Sequence, residues 1–480
     1  MGPPRGQRIV FDLTSAARWS GPPVGIVRVQ RELARWVRQW RPDWAFAVFD
    51  AEIMAYRAVL PPYADAFIDG TATLNTWASP DPTGGRRRRS AALPAWLYAA
   101  LQLRRTLLRV LERARLGAKT PGGQRRADRL QRLLMTDRYR PTMVDDEGGR
   151  RPFPTPDLAL GAPVRLGPSD TLVCAGFGWN HTNIAAIAAA KAASGFRLAV
   201  VCPDIIPLIF PEFFKSHDVA VTRRYWDAAF ASADVVVVNA QAIAEDVRSY
   251  CRAADIALRR LCVVPLGSAA PELAAAASAA PPGGLTSGRY ALFVSTLEPR
   301  KGHELLYRAW LDLLATGVPQ AQDFKLVFVG RVGWMTDELA AALRSDARLA
   351  GSLIHLSQVS DAELDSLYQH AAFCLYPSLY EGFGLPLVEA FAHGQTVLSS
   401  NAGALAEVAG EFALTLDPRD EAAWREHLRR WIEDPAARAP YEAAIAARFS
   451  PRGWDQAARE TFEAILAEPA APPQATPPSS

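Results

Sequence analysis

Short apolar runs along this chain alternate with longer stretches in which apolar residues recur at helical spacing. A run at 8–12 predicts a strand, and the stretch at 25–39 predicts a helix with Ile26, Val29 and Leu33 on one face. The intervening segment, WSGPPVG, contains the glycines and prolines of a constrained turn, where a backbone can approach a ligand closely. The chain therefore opens with a strand, a turn and a helix.

The alternation fades after a strand at 45–49 and resumes at 171, from where it continues in two blocks. The first block predicts strands at 171–174, 198–202, 234–238 and 261–265, with helices from about 219 and about 241. The second block predicts strands at 290–294, 325–329, 353–356, 373–376 and 396–400, with helices at 303–316, 336–347, 361–369 and 385–393. Ser360 and Glu363 have the spacing of a capping box at one helix start. Strands that alternate with helices indicate parallel sheets covered on both faces.

An alanine-, proline- and glycine-rich segment at 271–288 lacks periodicity and is the best candidate for a linker. The predicted fold class is therefore α/β, with two doubly wound, Rossmann-like domains that face each other across a cleft. At 480 residues the chain exceeds the usual size of a single core, which agrees with two domains. The expected segments are a domain at 1–270, the linker, a domain at 289–450, a helix at 451–467 that can pack back on the first domain, and a disordered tail at 468–480.

Residues 70–165 fit neither domain and are interpreted as a basic helical insertion. Residues 86–89 are four consecutive arginines, and a helix at 94–116 would carry arginines four residues apart, Arg105 and Arg109 among them. A basic amphipathic helix beside an arginine run can lie on an anionic membrane surface. An arm that packs on its own domain with a solvated arginine face explains the same pattern, so both interpretations stay open.

Composition indicates a globular protein of the cytoplasm. Hydrophobic residues make up 49% and charged residues 21% of the chain, and the net charge of +3 is too small to indicate a nucleic-acid partner. The five cysteines show no CxxC spacing, which is typical of reduced, buried thiols. No uncharged apolar window of about 18 residues occurs, and the N-terminus leads into a strand without an apolar signal region.

The most informative chemistry lies in residues 376–390, which read YPSLYEGFGLPLVEA. Two carboxylates, Glu381 and Glu389, flank a turn with Gly382 and Gly384 that leads from a buried strand into an apolar helix. Free backbone N–H groups and the helix dipole attract anions at such a junction. Eight residues along a helix correspond to a rotation of about 80°, so both carboxylates are expected to face one cleft. The pattern predicts a site for a phosphate with hydroxyl groups beside it, as in ribose and sugars.

Three blocks of the C-terminal half share the pattern of a known enzyme family. They are VSTLEPRKG at 294–302, LVFVGRVGW at 326–334 and the E-x7-E motif from Glu381 to Glu389. With these blocks the chain closely resembles the family 4 glycosyltransferases of the GT-B fold. Further segments that resemble the family lie at 399–408 and, more weakly, at 201–207, 238–246 and 25–32.

The resemblance implies a retaining, metal-independent hexosyltransferase. It implies that the C-terminal domain binds a GDP- or UDP-linked sugar, without a further cofactor, and that the N-terminal domain binds a saccharide or lipid-linked saccharide acceptor. The hexose would be of the mannose or glucose type, and the product a bacterial surface polysaccharide such as a lipopolysaccharide or a capsule. A lipid-linked acceptor would bring the enzyme to the inner face of the cytoplasmic membrane as a peripheral protein.

The resemblance also assigns roles to single residues. Glu389 matches the carboxylate that holds the ribose hydroxyls, and Glu381 matches the one beside the transferred sugar. A carboxylate accepts two hydrogen bonds from a diol, each contributing about 1.5–3 kcal/mol. Lys301 matches the lysine that contacts the pyrophosphate, with Arg300 beside it, and cations there stabilise the charge that develops as the nucleoside diphosphate departs. Asp204 is a candidate on the acceptor side.

Other donor-site candidates come from the turn and from neighbouring strand ends. Ser295 stands six residues before Lys301, where the family often has an arginine. Either Arg300 or Arg331 supplies the second charge, or the site is weakened. The turn itself contributes Gly382, Phe383, Gly384 and Leu385.

Two other classes of protein stay open. A nucleotide-sugar epimerase or hydrolase would use the same donor cleft without an acceptor. A non-catalytic nucleotide-sugar-binding scaffold would explain the departures at Ser295 and at Pro203, where many relatives have a histidine. His181 can face the cleft, although a lone histidine after a strand is more often structural. The acidic run at 145–147 is interpreted as a solvated loop, and no cluster has metal-ligand spacing, so no metal site is predicted.

Overall fold

The protein is described by a computed structural model that covers residues 8–20, 25–74, 142–144, 150–152, 154, 156–268, 280–349 and 351–467. Several predictions fall on other residues and lie outside this description: the arginine run at 86–89, the basic helix at 94–116, the acidic run at 145–147, residues 271–279 of the linker, and the tail at 468–480.

The strands are β1 Arg8–Asp12, β2 Ala45–Asp50, β3 Ala55–Val59, β4 Thr142–Val144, β5 Arg150–Pro152, β6 Leu160–Pro163, β7 Asp170–Cys174, β8 Arg197–Val201, β9 Val235–Val238, β10 Leu261–Val263, β11 Tyr290–Val294, β12 Lys325–Val329, β13 Leu353–Leu356, β14 Phe373–Tyr376, β15 Val397–Ser400 and β16 Ala413–Leu416. The α-helices are α1 Thr14–Arg18, α2 Gly25–Trp40, α3 Pro61–Ile68, α4 Pro156–Ala159, α5 Gly178–His181, α6 Ile184–Ser194, α7 Ile206–Ile209, α8 Ser216–Ser232, α9 Gln241–Ala253, α10 His303–Thr316, α11 Val318–Ala321, α12 Asp337–Ser345, α13 Asp361–His370, α14 Leu385–Ala392, α15 Leu405–Ala409, α16 Glu421–Glu433, α17 Ala439–Arg448 and α18 Trp454–Leu466. Short 3-10 helices cover Pro211–Phe213, Pro299–Lys301, Ala347–Leu349 and Pro435–Ala437.

The C-terminal sheet is parallel throughout and has the strand order β13-β12-β11-β14-β15-β16. Its central strands are buried because helices cover both faces, with Phe293, Trp310 and Trp424 fully enclosed in one core. The predicted strands of this block are present with ends that differ by a residue at most, and the capping box between Ser360 and Glu363 forms. The fold class predicted from the sequence is confirmed.

The N-terminal sheet has the order β10-β9-β8-β7-β1-β2-β3-β6, and β3 and β6 extend it as antiparallel strands. This edge was not predicted from the sequence. The hydrophobic pattern fades after residue 49, and residues 70–165 were interpreted as an insertion. The two strands are short and antiparallel, so they lack the long apolar runs of a buried parallel strand. Arg57 of β3 instead donates hydrogen bonds to the carbonyl oxygens of Gly161 and Leu160, each at 2.9 Å, which joins β6 to the first domain.

The last described helix returns to the first domain. The Phe462 ring of α18 stacks on Trp36 of α2 with a centroid distance of 5.1 Å, and Ile465 is buried in the same core. The backbone N–H of Ser268 donates a 2.8 Å hydrogen bond to the carbonyl oxygen of Arg452, just before this helix. The chain therefore crosses between the two domains twice.

Asp12 at the end of β1 is a buried acid within the first domain, 3% exposed. Its carboxylate accepts a 2.7 Å hydrogen bond from the backbone N–H of Thr14, a second bond from the Thr14 hydroxyl, and a 3.2 Å bond from the Tyr56 hydroxyl. Burial nevertheless raises the pKa of Asp12 to about 6, because an ionised carboxylate is poorly solvated there.

Ionisation of Asp12 is expected to weaken the fold between mildly acidic and neutral pH. Because the pKa of Asp12 is higher in the folded protein than its ordinary value of 3.8, Asp12 stabilises the fold fully at a pH below 3.8. That stabilisation is lost as the pH rises through about 6. Each pKa unit corresponds to about 1.4 kcal/mol. Urea unfolding at pH 5 and pH 7 should therefore show a smaller pH-dependent loss for Asp12→Asn than for the wild type.

Asp43→Asn is the matched control, because its hydrogen bond with Arg41 lowers the pKa of Asp43 and keeps its titration below this pH range. Identical pH dependence in the wild type and in Asp12→Asn would contradict the assignment to Asp12.

Candidate active site

The two sheets bring the carboxyl ends of their strands together. β14 ends at Tyr376 and leads into a turn, while β8 of the other domain ends at Val201. A Cβ on Gly382 of this turn would lie 2.7 Å from the carbonyl oxygen of Pro203 and 2.9 Å from the Cβ of Asp204. Only glycine fits without displacing the neighbouring backbone, so Gly382 marks a close approach of the two domains.

Glu381 is the centre of a buried cluster of charges. Its carboxylate lies 2.5 Å from Lys301 Nζ and 2.8 Å from Arg300 Nη1, and the Ser378 hydroxyl donates a 2.7 Å hydrogen bond to it. Only 6% of the residue is exposed. Burial alone would raise the pKa of Glu381, but the positive charges of Arg300 and Lys301 and their hydrogen bonds lower that pKa to about 2. The carboxylate is therefore ionised at neutral pH.

The local backbone holds both cations beside this carboxylate. Arg300 and Lys301 end a short 3-10 helix, and Gly302 follows with a φ of 80° before α10 begins. A Cβ on Gly302 would lie 2.4 Å from the carbonyl oxygen of Pro377, so the turn after β14 is packed directly against this backbone. Arg300 also donates a 2.7 Å hydrogen bond to the carbonyl oxygen of Tyr380.

Two further carboxyl groups face the same cations. Glu298 Oε2 lies 3.5 Å from Arg300 Nη2, and Asp204 of the other domain interacts electrostatically with Arg300 and Lys301. Burial raises the pKa of both Glu298 and Asp204, and the two cations oppose this shift. Together with Glu381, three carboxyl groups surround two cations.

The second carboxylate of the motif, Glu389 on α14, faces the N-terminal domain. Arg28 Nη1 forms an ion pair with Glu389 Oε1, and the Tyr368 hydroxyl donates a 3.4 Å hydrogen bond to Glu389 Oε2. No role for Arg28 was predicted from the sequence. The available signal was its position in the first turn of α2, where a positive charge opposes the helix dipole.

Glu381 and Glu389 were expected to face one cleft because of their spacing along a helix. The structure shows that this reason was wrong. Helix α14 begins at Leu385, after Gly384 with a φ of 98°, so Glu381 lies in the turn before the helix. The helical rotation inferred from the sequence therefore does not relate Glu381 to Glu389. Backbone packing of the turn brings Glu381 to its cations, while Phe383 in the same turn is buried.

Ser295 and Arg331 lie apart from this charge cluster. Ser295 is buried after β11, and its hydroxyl donates a 3.2 Å hydrogen bond to the carbonyl oxygen of Thr296. Arg331 is exposed, and its guanidinium carbon lies 5.7 Å from the centre of the Trp19 ring in the other domain. Of the two arginines considered from the sequence, Arg300 is therefore the one that joins Lys301 at Glu381.

His181 lies in the N-terminal domain, at the end of the short helix α5. Burial and the nearby positive charge of Arg18 lower the pKa of His181 to about 4, so its ring is neutral at pH 7. Neither His181 nor Arg18 belongs to the cluster around Glu381.

Other polar contacts join the domains around the cleft. Glu407 accepts hydrogen bonds of 3.0 and 3.2 Å from the backbone N–H groups of Gln241 and Ala242, where α9 begins in the other domain. A carboxylate in this position satisfies free N–H groups and favours the helix dipole. The Tyr380 hydroxyl donates a 2.5 Å hydrogen bond to Asp246. The turn with Glu381 is thus held by contacts with both domains.

Within the described part of the chain, no group of three or more histidine, cysteine, aspartate or glutamate side chains is arranged to hold a metal ion. No helix in that same part is long and apolar enough to cross a membrane. The positive charge closest to Glu381 comes from Arg300 and Lys301.

Two Rossmann-like α/β domains that face each other across a cleft are the architecture of GT-B glycosyltransferases. Residues 282–448 match the family model of glycosyl transferases, group 1, so this part of the chain is a group 1 glycosyltransferase domain. A solved structure of HepE from Anabaena in complex with UDP and glucose aligns with 96% of this chain and 100% of that chain, at a TM-score of 0.58 and 15% identity. At this identity the similarity shows the shared GT-B fold.

Curated relatives align with parts of the chain. O-antigen chain mannosyltransferase B of Escherichia coli is 34% identical over 175 residues, which are 36% of this chain and 45% of the relative. The serotype-specific mannosyltransferase WbdA of Escherichia coli is 30% identical over 266 residues, 50% of this chain and 30% of the relative. D-inositol 3-phosphate glycosyltransferase of Acidothermus cellulolyticus is 30% identical over 184 residues, 37% of this chain and 40% of the relative. The chain spans less than half the length of these relatives.

Replacing Glu381 by glutamine should destabilise the protein strongly. Arg300 and Lys301 would keep their buried charges without this carboxylate, and breaking a buried ion pair from one side costs about 3–5 kcal/mol. Urea unfolding at pH 7 measures the change in the free energy of unfolding.

Glu433→Gln is the control, because Glu433 pairs with Arg429 on an exposed helix face, where an ion pair contributes about 0–1 kcal/mol. Equal losses in the two variants would contradict the view that the Glu381 cluster is a buried charge network.

Proposed function

We propose that this protein is a retaining hexosyltransferase that moves a hexose of the mannose or glucose type from a GDP- or UDP-linked sugar to a saccharide or lipid-linked saccharide acceptor. The observation that carries the proposal is the convergence of Glu381, Arg300 and Lys301 at the cleft, with Glu389 on the adjoining helix. All of them lie within the residues that match the group 1 family model.

The relatives support the finer parts of the proposal. Two of them are named as mannosyltransferases, one of the O-antigen chain, which favours mannose and a bacterial surface polysaccharide. The structural neighbour from Anabaena was solved with UDP and glucose, which favours a nucleotide-sugar donor.

In this proposal the two glutamates have different roles. Glu389 binds the ribose hydroxyls, since a carboxylate offers two acceptor atoms to a diol. Lys301 and Arg300 stabilise the negative charge that grows on the diphosphate as it departs, and this requires no metal ion. Glu381 positions both cations and lies beside the transferred sugar. Asp204 contacts the donor turn from the acceptor domain.

Retention of the anomeric configuration requires the acceptor oxygen to approach the face that the diphosphate leaves. The bond from the anomeric carbon to the diphosphate oxygen breaks, the bond to the acceptor oxygen forms on the same face, and the acceptor proton passes to the departing phosphate. Because Lys301 and Arg300 already hold Glu381 in ion pairs, we favour this front-face route over nucleophilic attack by that carboxylate. A covalent sugar adduct trapped on Glu381 or Asp204 would refute it.

A lipid-linked acceptor would bring the protein to the inner face of the cytoplasmic membrane as a peripheral protein. We propose the arginine-rich residues 86–116 as the segment that contacts anionic lipids. Sedimentation with anionic liposomes, compared for the full chain and for a variant lacking 81–124, tests this part separately, and equal sedimentation of both proteins would refute it.

Donor-site variants should lose sugar transfer. Lys301→Ala and Glu389→Ala should each lower kcat/KM by about tenfold or more, which corresponds to a contact contributing about 1.4 kcal/mol. The assay measures nucleoside diphosphate release from GDP-mannose, UDP-glucose and related donors, with and without saccharide acceptors.

Lys215→Ala and Glu304→Ala are matched controls, because both residues are exposed and lie outside the cleft cluster. Unchanged turnover in both donor-site variants would contradict the site. Rapid release of nucleoside diphosphate without any acceptor would instead identify a hydrolase.

The cognate nucleoside diphosphate should stabilise the folded protein. A ligand at 100 times its dissociation constant adds about 2.7 kcal/mol to the free energy of unfolding. Thermal unfolding with GDP and with UDP should therefore show a clear shift for one of them. Absence of a shift with either nucleotide at millimolar concentration would contradict a nucleotide-sugar donor.

A further inference from the structure

We propose that Arg28 is a donor-binding residue supplied by the opposite domain, which exchanges its contact with Glu389 for a contact with the donor diphosphate when ribose occupies Glu389. The inference rests on the proposed function, because it assumes that Glu389 binds ribose. It adds a phosphate-binding cation from outside the group 1 domain.

The contact between Arg28 and Glu389 joins the two domains directly at the donor helix. Arg28 lies on α2 of the N-terminal domain, and its guanidinium donates a hydrogen bond to Glu389 Oε1. The two side chains are 24% and 15% exposed, so solvent reaches the pair. Partial exposure makes the ion pair weaker than a fully buried one and therefore open to exchange.

Ribose and Arg28 compete for the same atom. A diol is held by both oxygens of a carboxylate, and in Glu389 Oε1 receives Arg28 while Oε2 receives the Tyr368 hydroxyl at 3.4 Å. Each carboxylate oxygen has more than one lone pair, so a ribose hydroxyl displaces Arg28 when it takes the position on Oε1 that the guanidinium occupies. The ribose is joined to the α-phosphate through one methylene group, so the displaced guanidinium remains close to an anion.

Binding of a diphosphate would require a further cation near the charge cluster around Glu381. Arg300 and Lys301 lie among three carboxyl groups; both pair with Glu381, and Arg300 also pairs with Glu298. A nucleotide sugar brings a negative charge on each phosphate. Among the described residues near Glu381, two cations are already matched by carboxylates, so binding of a diphosphate would leave excess negative charge. Arg28 can supply the missing positive charge from the other side of the cleft.

Arg28 has no strong alternative partner on its own helix. Glu32 lies one turn further along α2, where Arg35 donates a hydrogen bond to its carboxylate. Burial raises the pKa of Glu32, and the charges of Arg35 and Arg28 oppose that shift. Because Glu32 is already bound by Arg35, an anion in the cleft is the better destination for Arg28.

The first turn of α2 points to an anion for a second reason. It contains no acidic residue, and Arg28 is a cation at the positive end of a 16-residue helix. Such a placement is unfavourable unless an anion lies close by. Glu389 is that anion in this structure, and the donor diphosphate replaces it when the donor binds.

The test compares two ligands with each protein variant. Isothermal titration measures the dissociation constants of the nucleoside diphosphate that stabilises the wild type, GDP or UDP, and of its nucleoside. For Arg28→Ala we expect about tenfold weaker binding of the diphosphate, since one charge-assisted contact is lost, and equal or tighter binding of the nucleoside, since Glu389 is freed. Arg28→Lys should recover part of the diphosphate affinity. Arg38→Ala, on the same helix and paired with Asp69 rather than with Glu32, is the control and should change neither constant.

Each outcome has a distinct meaning. Because the ratio of the two constants is measured on one folded sample, partial loss of folded protein does not change it. Tighter binding of both ligands to Arg28→Ala would make Arg28 a simple competitor of ribose and overturn the inference. Unchanged constants for both ligands would overturn it as well. A wild type that binds neither nucleotide would refute the proposed donor site itself, and the inference with it.

Discussion

The structure of the cleft depends on one buried carboxylate between two cations. Glu381 is held in a turn outside the helix, and Arg300 and Lys301 reach it from the short 3-10 helix that precedes α10. An ionised side chain that is 6% exposed can persist only with such partners. The backbone around it must therefore pack closely, which explains why Gly302 and Gly382 each meet a carbonyl oxygen where a Cβ would stand.

The same constraint prepares the site for its proposed chemistry. Two cations are already desolvated and oriented at the point where a departing diphosphate would gain charge, so little reorganisation is needed at that moment. Their charge is compensated by carboxyl groups in this structure, and a phosphate must compete with Glu381 for them. Charge from the other domain, at Arg28, would make this competition easier. The contact between the domains and the binding of the donor would then depend on the same set of charged residues.

The sequence predicted the C-terminal domain more completely than the N-terminal one. Its strands are buried, parallel and apolar, and their runs stand out between helices of regular period. The antiparallel edge formed by β3 and β6 was missed, because half-exposed short strands carry a weak pattern and are held by Arg57 contacts between residues far apart in the chain. Glu381, Arg300 and Lys301 were named from local motifs, whereas Arg28 was not.

By itself the sequence determined the α/β class, the two domains, the E-x7-E motif and the basic pair, because periodicity, glycine positions and charge are local properties. Only the tertiary structure decided which of these residues meet. It places Arg300 rather than Arg331 beside Glu381, moves Glu381 out of the helix, and pairs Glu389 with Arg28 across the cleft. The physical reason is that contacts between residues far apart in the chain depend on how strands, turns and domains pack, and no local spacing in the chain records that packing.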